Sequence, residues 1–298
     1  MSASLRRLPY LLSAAGLALL LSGCAPSHLI TRPLADALAS QGSGAEDDLE
    51  LAREASSFYL KLSESVLKDE PTHRGLAVAV ASGFTQYAYA FVADEADRLE
   101  ARDTRGAAQL RERAARLYQR GRDHALKALS LRYPDLMAQL ALPEPSLRIE
   151  KADVPLAYWG AAAWGGLVSL SKDKPEVVAD LPLAVNLARL AWQQDPGFGD
   201  GNLASLMGSF EAARPGGSRS QATAYFDEAL RLADGHSAGA FVAKAEGVAL
   251  PAGDRAQFES LLKAALAVQE SAGSPLTLSN QLMRRRARWL LDSAEDLF

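Results

Sequence analysis

Apolar residues recur along most of this chain at steps of three and four, the period of a helix buried on one face. Leu51, Ala55, Phe58, Tyr59, Leu62 and Val66 form the first such stripe. Glu46-Asp47-Asp48 opens it with the acidic residues that suit a helix N-terminus, and Pro71 stops it. Leu76, Val80, Phe84, Tyr87 and Phe91 predict a second helix over 72–99, and the charged run 94–105 reads as its solvated end and corner. Leu110, Ala114, Leu117, Tyr118, Gly121, Ala125 and Ala128 predict a third over 104–131. Gly121 inside that helix costs about 1 kcal/mol against alanine, so a close partner helix is expected beside it. The period lapses over 133–154, where Pro134, Pro143 and Pro145 fall. Connections this long inside a compact domain are unusual, and lid, crossover and plain linker all fit this one, with a short helix possible at 134–140.

Helical period returns at Pro155 and holds to the end of the chain. Asp173 precedes Lys174-Pro175 and Asp180 precedes Leu181-Pro182, so each aspartate reads as an N-cap with proline in the following first turn. Ala184, Ala188 and Ala191 step by four and three, and Ala222, Phe226 and Ala229 repeat the step one hairpin later. Small residues at that spacing are what the second helix of a tetratricopeptide-type hairpin needs where its partner packs close. The last helix sets Met283, Ala287, Leu290, Leu291, Ala294 and Phe298 inward and Arg284, Arg288, Asp292 and Glu295 outward. Arg284-Arg285-Arg286 reads as a solvated face, with a partner-binding patch as the alternative. Only two isoleucines, Ile30 and Ile149, stand against a wealth of alanine, leucine and arginine, which favours helix over strand. The predicted fold is all-α: about ten to twelve helices as stacked, degenerate tetratricopeptide-like hairpins in one domain over 46–298.

The first 23 residues follow another grammar. Arg6 and Arg7 precede an apolar run, Leu11 to Leu21, and Leu21-Ser22-Gly23-Cys24 closes it. That layout is a secretory signal, too short for a comfortable membrane span. LSGC resembles the lipobox of bacterial lipoproteins, which implies cleavage before Cys24, thioether lipidation of its sulfur and acylation, by palmitate-type chains, of the new amine. Several acyl chains anchor stably where one would be marginal. Ala25 rather than aspartate follows the cysteine, so the resemblance implies the outer membrane, with the domain on its periplasmic side. Residues 24–45, rich in Pro, Ser, Gly and Gln, read as a lipidated flexible tether holding the domain on the order of 25 Å from the bilayer.

Charge and motifs narrow the chemistry. A net charge of −4 gives no reason to expect nucleic acid. The single cysteine leaves no internal disulfide or cysteine-based zinc cage. His28, His73, His124 and His236 are far apart and none has a metal-ligand partner at i+4. There is no GxSxG, P-loop or GxGxxG, so neither an enzyme, a cofactor nor a metal is expected.

From Tyr158 to Asp234 the chain reads YWGAAAWGGLVSLSKDKPEVVADLP, then DPGFGDG, FEAARPGGS and AYFDEALRLADG; QYAYAFVADEAD lies before it and NQLMRRRARWLLDSAEDLF ends the chain. These motifs, in this order, resemble the TRAP transporter T-component (TatT-like) lipoproteins over nearly the whole mature chain. The resemblance implies an all-helical lipoprotein with cryptic tetratricopeptide-like repeats, associated with TRAP transport that depends on a periplasmic solute-binding protein. It also implies a homotrimer with an internal cavity or pore for a small apolar or amphiphilic ligand. Concave helical-repeat surfaces pool side chains from neighbouring hairpins into one groove. Tyr158, Trp159 and Trp164 are the candidates to line it, with Lys172 and Asp173 as polar contacts at its rim. A helical scaffold working through protein contacts alone is the alternative, and a periplasmic lytic enzyme on the same frame a third.

Overall fold

The computed structural model describes residues 26–40, 46–269 and 274–298, and every regular element among them is helical. The first hairpins are α1 (Pro26–Ser40), α2 (Leu49–Asp69), α3 and α4 (Thr104–Ser130). Helix α3 runs as Arg74–Ala88, loosens into a π-helical turn at Tyr89–Ala93 and continues as Asp94–Leu99. Short α5 (Leu136–Leu140) lies in the long connection, and a 3₁₀ turn (Lys151–Asp153) feeds α6 (Val154–Ser169). Then follow α7 (Pro175–Val178), α8 (Leu181–Gln194), α9 (Asn202–Ala213) and α10 (Arg219–Leu232). Helix α11 (Ala238–Lys244) runs into a second π-helical turn (Ala245–Ala249), and α12 (Arg255–Ala267), α13 (Thr277–Asp292) and α14 (Ala294–Leu297) close the chain.

Side-chain caps start several of these helices. Asp48 accepts from the amides of Glu50 and Leu51 at 2.9 and 3.0 Å, and Asp103 from Gly106 at 2.9 Å. His73 caps α3 through Nδ1, which accepts from the Leu76 amide at 3.0 Å. Such caps satisfy amides that the first turn leaves without intrahelical partners.

Consecutive helices pack in order, α3 on α4, α4 on α6, α6 on α8, α9 on α10 and α11 on α12. The alanine steps mark these seams: Ala184, Ala188, Ala191, Ala222 and Ala229 are all fully buried. A Cβ on Gly121 would sit 2.9 Å from Thr85 Oγ1 and 3.1 Å from the Ala81 carbonyl, so α3 does pass close to α4. Helix α3, Arg74–Leu99, is long and apolar enough to cross a membrane by length and composition, but most of it is buried inside the domain. The last long helix returns to the first hairpins: α13 touches α2, and Leu278 and Leu282 share a core with Leu76 and Phe84. The stack therefore curls round until its ends meet.

Three expectations change here. Residues 26–40, taken with 24–45 as a flexible tether, form a helix that buries Ala35 and Leu38 against the first hairpin. The composition hid it, because Pro33 lies inside the helix, where proline is disfavoured. In α2, Leu51 and Phe58 point outward, 52% and 73% exposed, while Ala52, Leu60, Val66 and Leu67 are buried. The N-terminal half of the expected stripe faces out, while its later members Tyr59, Leu62 and Val66 pack on the core. Arg285 and Arg286 are not a solvated face, and the 94–105 corner is not wholly solvated, since Asp94 is 4% exposed. Arg285 donates to the Ala90 carbonyl at 3.0 Å and to Asp94 at 2.9 Å. Arg286 reaches Glu246 at 2.7 Å, Asp97 at 3.1 Å and Asp94 at 3.3 Å.

Candidate functional site

The long connection is built into the domain by a chain of polar anchors. Asp153 is fully buried, forms ion pairs with Arg74 Nε and Arg132 Nε, each at 3.1 Å, and accepts from the Tyr133 hydroxyl at 2.7 Å. A buried carboxylate survives only where charge and hydrogen bonds surround it in this way. Gln139 Oε1 accepts from the amides of Ser146 and Leu147 at 3.1 and 3.3 Å, which folds the proline-rich segment back on α5. Asn186, 5% exposed in the middle of α8, donates its amide to the carbonyls of Leu140 and Leu142 at 2.9 and 2.8 Å. The connection is thus a fixed wall.

Between that wall and α7–α8 lies a cleft of about 890 Å³. Leu140, Leu142 and Pro143 form one side, Val178, Ala179 and Pro182 the other, and Arg189 and Arg214 stand in its lining. Arg214 is engaged by Glu211, whose carboxyl it holds below the ordinary range, while Arg189 gives Nη1 to Asn186 at 2.9 Å. Leu142 and Val178 are 44% and 37% exposed, so the cleft opens to solvent as a mostly apolar groove. Such a volume with few polar groups suits a small molecule with a large apolar part.

The residues singled out from sequence do not line this groove, and they do not share one site. Tyr158 and Trp159 form an edge-on pair with centroids 4.8 Å apart, and Phe198 packs on Tyr158 at 5.2 Å. Burial pushes the Tyr158 hydroxyl well above the usual phenol range. Trp164 is 2% exposed; its indole donates to Asp180 at 3.3 Å, and Arg122 lies over its ring at 5.3 Å. Five residues turn a helix through more than a third of a revolution past one full turn, which sends Trp159 and Trp164 to different neighbours. Lys172 and Asp173 are exposed in the turn between α6 and α7. Lys174 rather than Asp173 is the N-cap of α7, while Asp180 is the N-cap of α8 with proline in the first turn as expected, although its carboxylate goes to Trp164 instead of to the helix amides. Gly165 and Gly166 also serve packing. A Cβ there would lie 2.8 Å from the Phe210 ring and 2.6 Å from the Tyr118 ring.

The groove-forming residues that sequence reasoning passed over are Asn186 and the Leu140–Pro143 segment. One signal did exist: an asparagine inside the apolar run LPLAVNLARLAW must find partners for its amide.

Two charged clusters lie elsewhere. Glu64, 6% exposed, accepts from Arg120, Lys61 and His124, and His124 stacks on Phe84. Burial alone would raise the Glu64 carboxyl, but these three partners hold it down at about 2. The other cluster is Arg285, Arg286, Asp94, Asp97 and Glu246, set between the two π-helical turns. Burial drives the neighbouring hydroxyls of Tyr89 and Tyr118 far up, so both stay protonated. Among the described residues no group of three His, Cys, Asp or Glu could hold a metal ion.

Comparison with known proteins adds two findings. A family model described as TRAP transporter T-component matches residues 45–298. A protein of Treponema pallidum (strain Nichols), described as an uncharacterized protein, is 29% identical over 265 residues, covering 85% of this chain and 81% of that one.

Proposed function

The chain belongs to the TRAP transporter T-component family, an accessory family of TRAP transport rather than one of enzymes, and on that premise we propose that it is a lipoprotein which binds a small apolar or amphiphilic ligand beside a periplasmic solute-binding protein. In this reading Cys24, which lies outside the described residues, carries the lipid and holds the domain on the periplasmic side of the outer membrane. The groove between Leu140–Pro143 and α7–α8 carries the ligand part of the reading. Its wall is held open by Asn186 independently of any occupant, so a ligand would enter a preformed site. Arg189 gives an amphiphile's anionic head a partner at the edge of an apolar floor.

A dansylated fatty acid tests it. Val178→Trp fills the groove from an exposed position without touching the core. Fluorescence titration is expected to show binding to the parent protein and affinity at least tenfold weaker in the variant. Equal affinity in both would move the ligand out of this groove, and a parent protein that binds no apolar probe would remove the ligand reading altogether.

One observation favours protein contacts, whether with further copies of this chain in a homotrimer or in a scaffold. Leu51, Ala55 and Phe58 lie at i, i+4 and i+7 on α2, all exposed, with half-buried Leu62 continuing the line. That is the seam a partner helix would cover. Phe58→Glu is expected to leave thermal stability unchanged, since the side chain touches little of its own domain. Light scattering after size exclusion is expected to show a trimer in the parent and a monomer in the variant; an unchanged mass would place the interface elsewhere.

A further inference from the structure

We infer that the pole of the domain made by the α2–α3 turn and the C-terminal end of α4 rests directly on the bilayer, with anionic lipid headgroups as its partner. The inference depends on the lipid anchor proposed for Cys24 and adds an orientation to it. Its first support is the helix found where a tether was expected. Only Ala25 separates Cys24 from Pro26, the first residue of α1. At most about 7 Å of extended chain therefore lies between the anchored residue and a helix of the domain. That helix is fastened along its length. Thr31 donates to Glu70 at 2.6 Å, Asp36 meets His73 at 2.9 Å, and the Tyr59 hydroxyl donates to the Leu38 carbonyl. Followed backwards, α1 runs from the middle of α2 to the α2–α3 turn, so its N-terminus leaves the domain at that turn. A helix rises about 1.5 Å per residue, which puts the first residue of α1 within about 8 Å of Thr31. A domain held this closely has no room to tumble, and this pole is the part that meets the headgroups.

The second support is the chemistry of the pole. Lys68 and Lys127 line the same small cleft together with Pro71 and His124. Both lysines are exposed, and neither makes an ion pair among the described residues, nor does exposed Arg32 beside Thr31. Leu131, one turn beyond Lys127, is 55% exposed. The carboxylates here are Asp69, Asp135 and Asp36, the last set against His73, with Glu70 bonded to Thr31 and Glu150 held by Arg132. Cations without an ion pair among the described residues, set around an exposed leucine, suit an anionic interface, where each lysine or arginine adds electrostatic attraction. The pole at the other end of α6 carries Lys172, Asp173, Lys174 and Glu176.

Lysine footprinting tests the inference. The full lipidated chain is reconstituted in vesicles of phosphatidylethanolamine with a minor share of phosphatidylglycerol and treated briefly with a water-soluble acetylating ester. The same chain cleaved free of its lipid is the reference. The expected result is acetylation of Lys68 and Lys127 slowed at least threefold on the vesicles, with Lys172 and Lys174 unchanged and part of the shielding lost on phosphatidylcholine. Unchanged rates at Lys68 and Lys127, or equal shielding at Lys172, would overturn it. The mass of the N-terminal peptide reads the anchor separately. If Cys24 proves unmodified, the anchoring reading fails, and the chain from Cys24 coupled through its thiol to a maleimide lipid still shows which pole meets the surface.

Discussion

Glu64 shows how a single side chain sets a pH limit on this domain. Its carboxyl titrates near 2 in the folded chain against about 4.5 ordinarily, because Arg120, Lys61 and His124 outweigh the cost of burying it. A carboxylate with a depressed folded pKa stabilises the fold above its unfolded value and loses that contribution as pH falls toward the folded one. The window is therefore about pH 4.5 down to 2, and the contribution is on the order of 2 kcal/mol after allowance for the solvent reached by Arg120 and Lys61. Glu64→Gln is expected to cost about 2 kcal/mol near neutral pH, measured by urea unfolding. Its stability should then be nearly flat across that window where the parent's falls. A variant that kept the parent's full acid dependence would assign that dependence to other carboxylates.

At the scale of elements, what the sequence revealed depended on how local the cause was. Alanine steps such as Ala184, Ala188 and Ala191 were legible because close packing of neighbouring helices demands small residues at helical spacing. Helix α2 was legible as a helix but only partly in its orientation, since the Leu51–Phe58 half of its stripe faces out and only the neighbours decide that. The groove was less legible still: Asn186 and Leu140 lie 46 residues apart, and nothing local announces their bond. Trp164 was hard to place for the opposite reason, because a large aromatic near paired glycines looks like a pocket wall and here it is packed in the core. Gly165 and Gly166 let α6 receive the Phe210 and Tyr118 rings. Gly166→Val should push Tyr118 off its seat and cost about 2 kcal/mol or more through overpacking. Tyr118→Ala added to it should recover little of the total, since it removes the clash but leaves a cavity. Unfolding curves of the three variants check the pair; full stability in Gly166→Val alone would mean the seam has slack that the packing denies.

The whole molecule is closed by one charged junction. Arg285 and Arg286, near the end of the chain, cross to Asp94 and Asp97 of α3 and to Glu246 of the second π-helical turn. The Ala90 carbonyl that takes Arg285 lies in the first π-helical turn, and the Glu246 that takes Arg286 lies in the second. π-helical turns interrupt regular helix bonding and are found where a site needs that change of register. Hairpin stacks usually couple only nearest neighbours, so their ends fray first. Here the last long helix is tied to the first hairpins, and fraying would have to break a half-buried network. Removing Arg286 leaves Glu246 without its partner, while Asp94 keeps Arg98 and Arg285 and Asp97 keeps Arg111, at a cost of about 1–3 kcal/mol. Arg286→Met should therefore destabilise by that amount and, more tellingly, raise amide exchange together in α13 and in the Tyr89–Leu99 segment. Adding Glu246→Gln should restore part of the loss, because it removes the stranded charge. If exchange rose in α13 alone, the ends would be neighbours without being coupled, and closure would rest on Leu278 and Leu282 packing against the first hairpins.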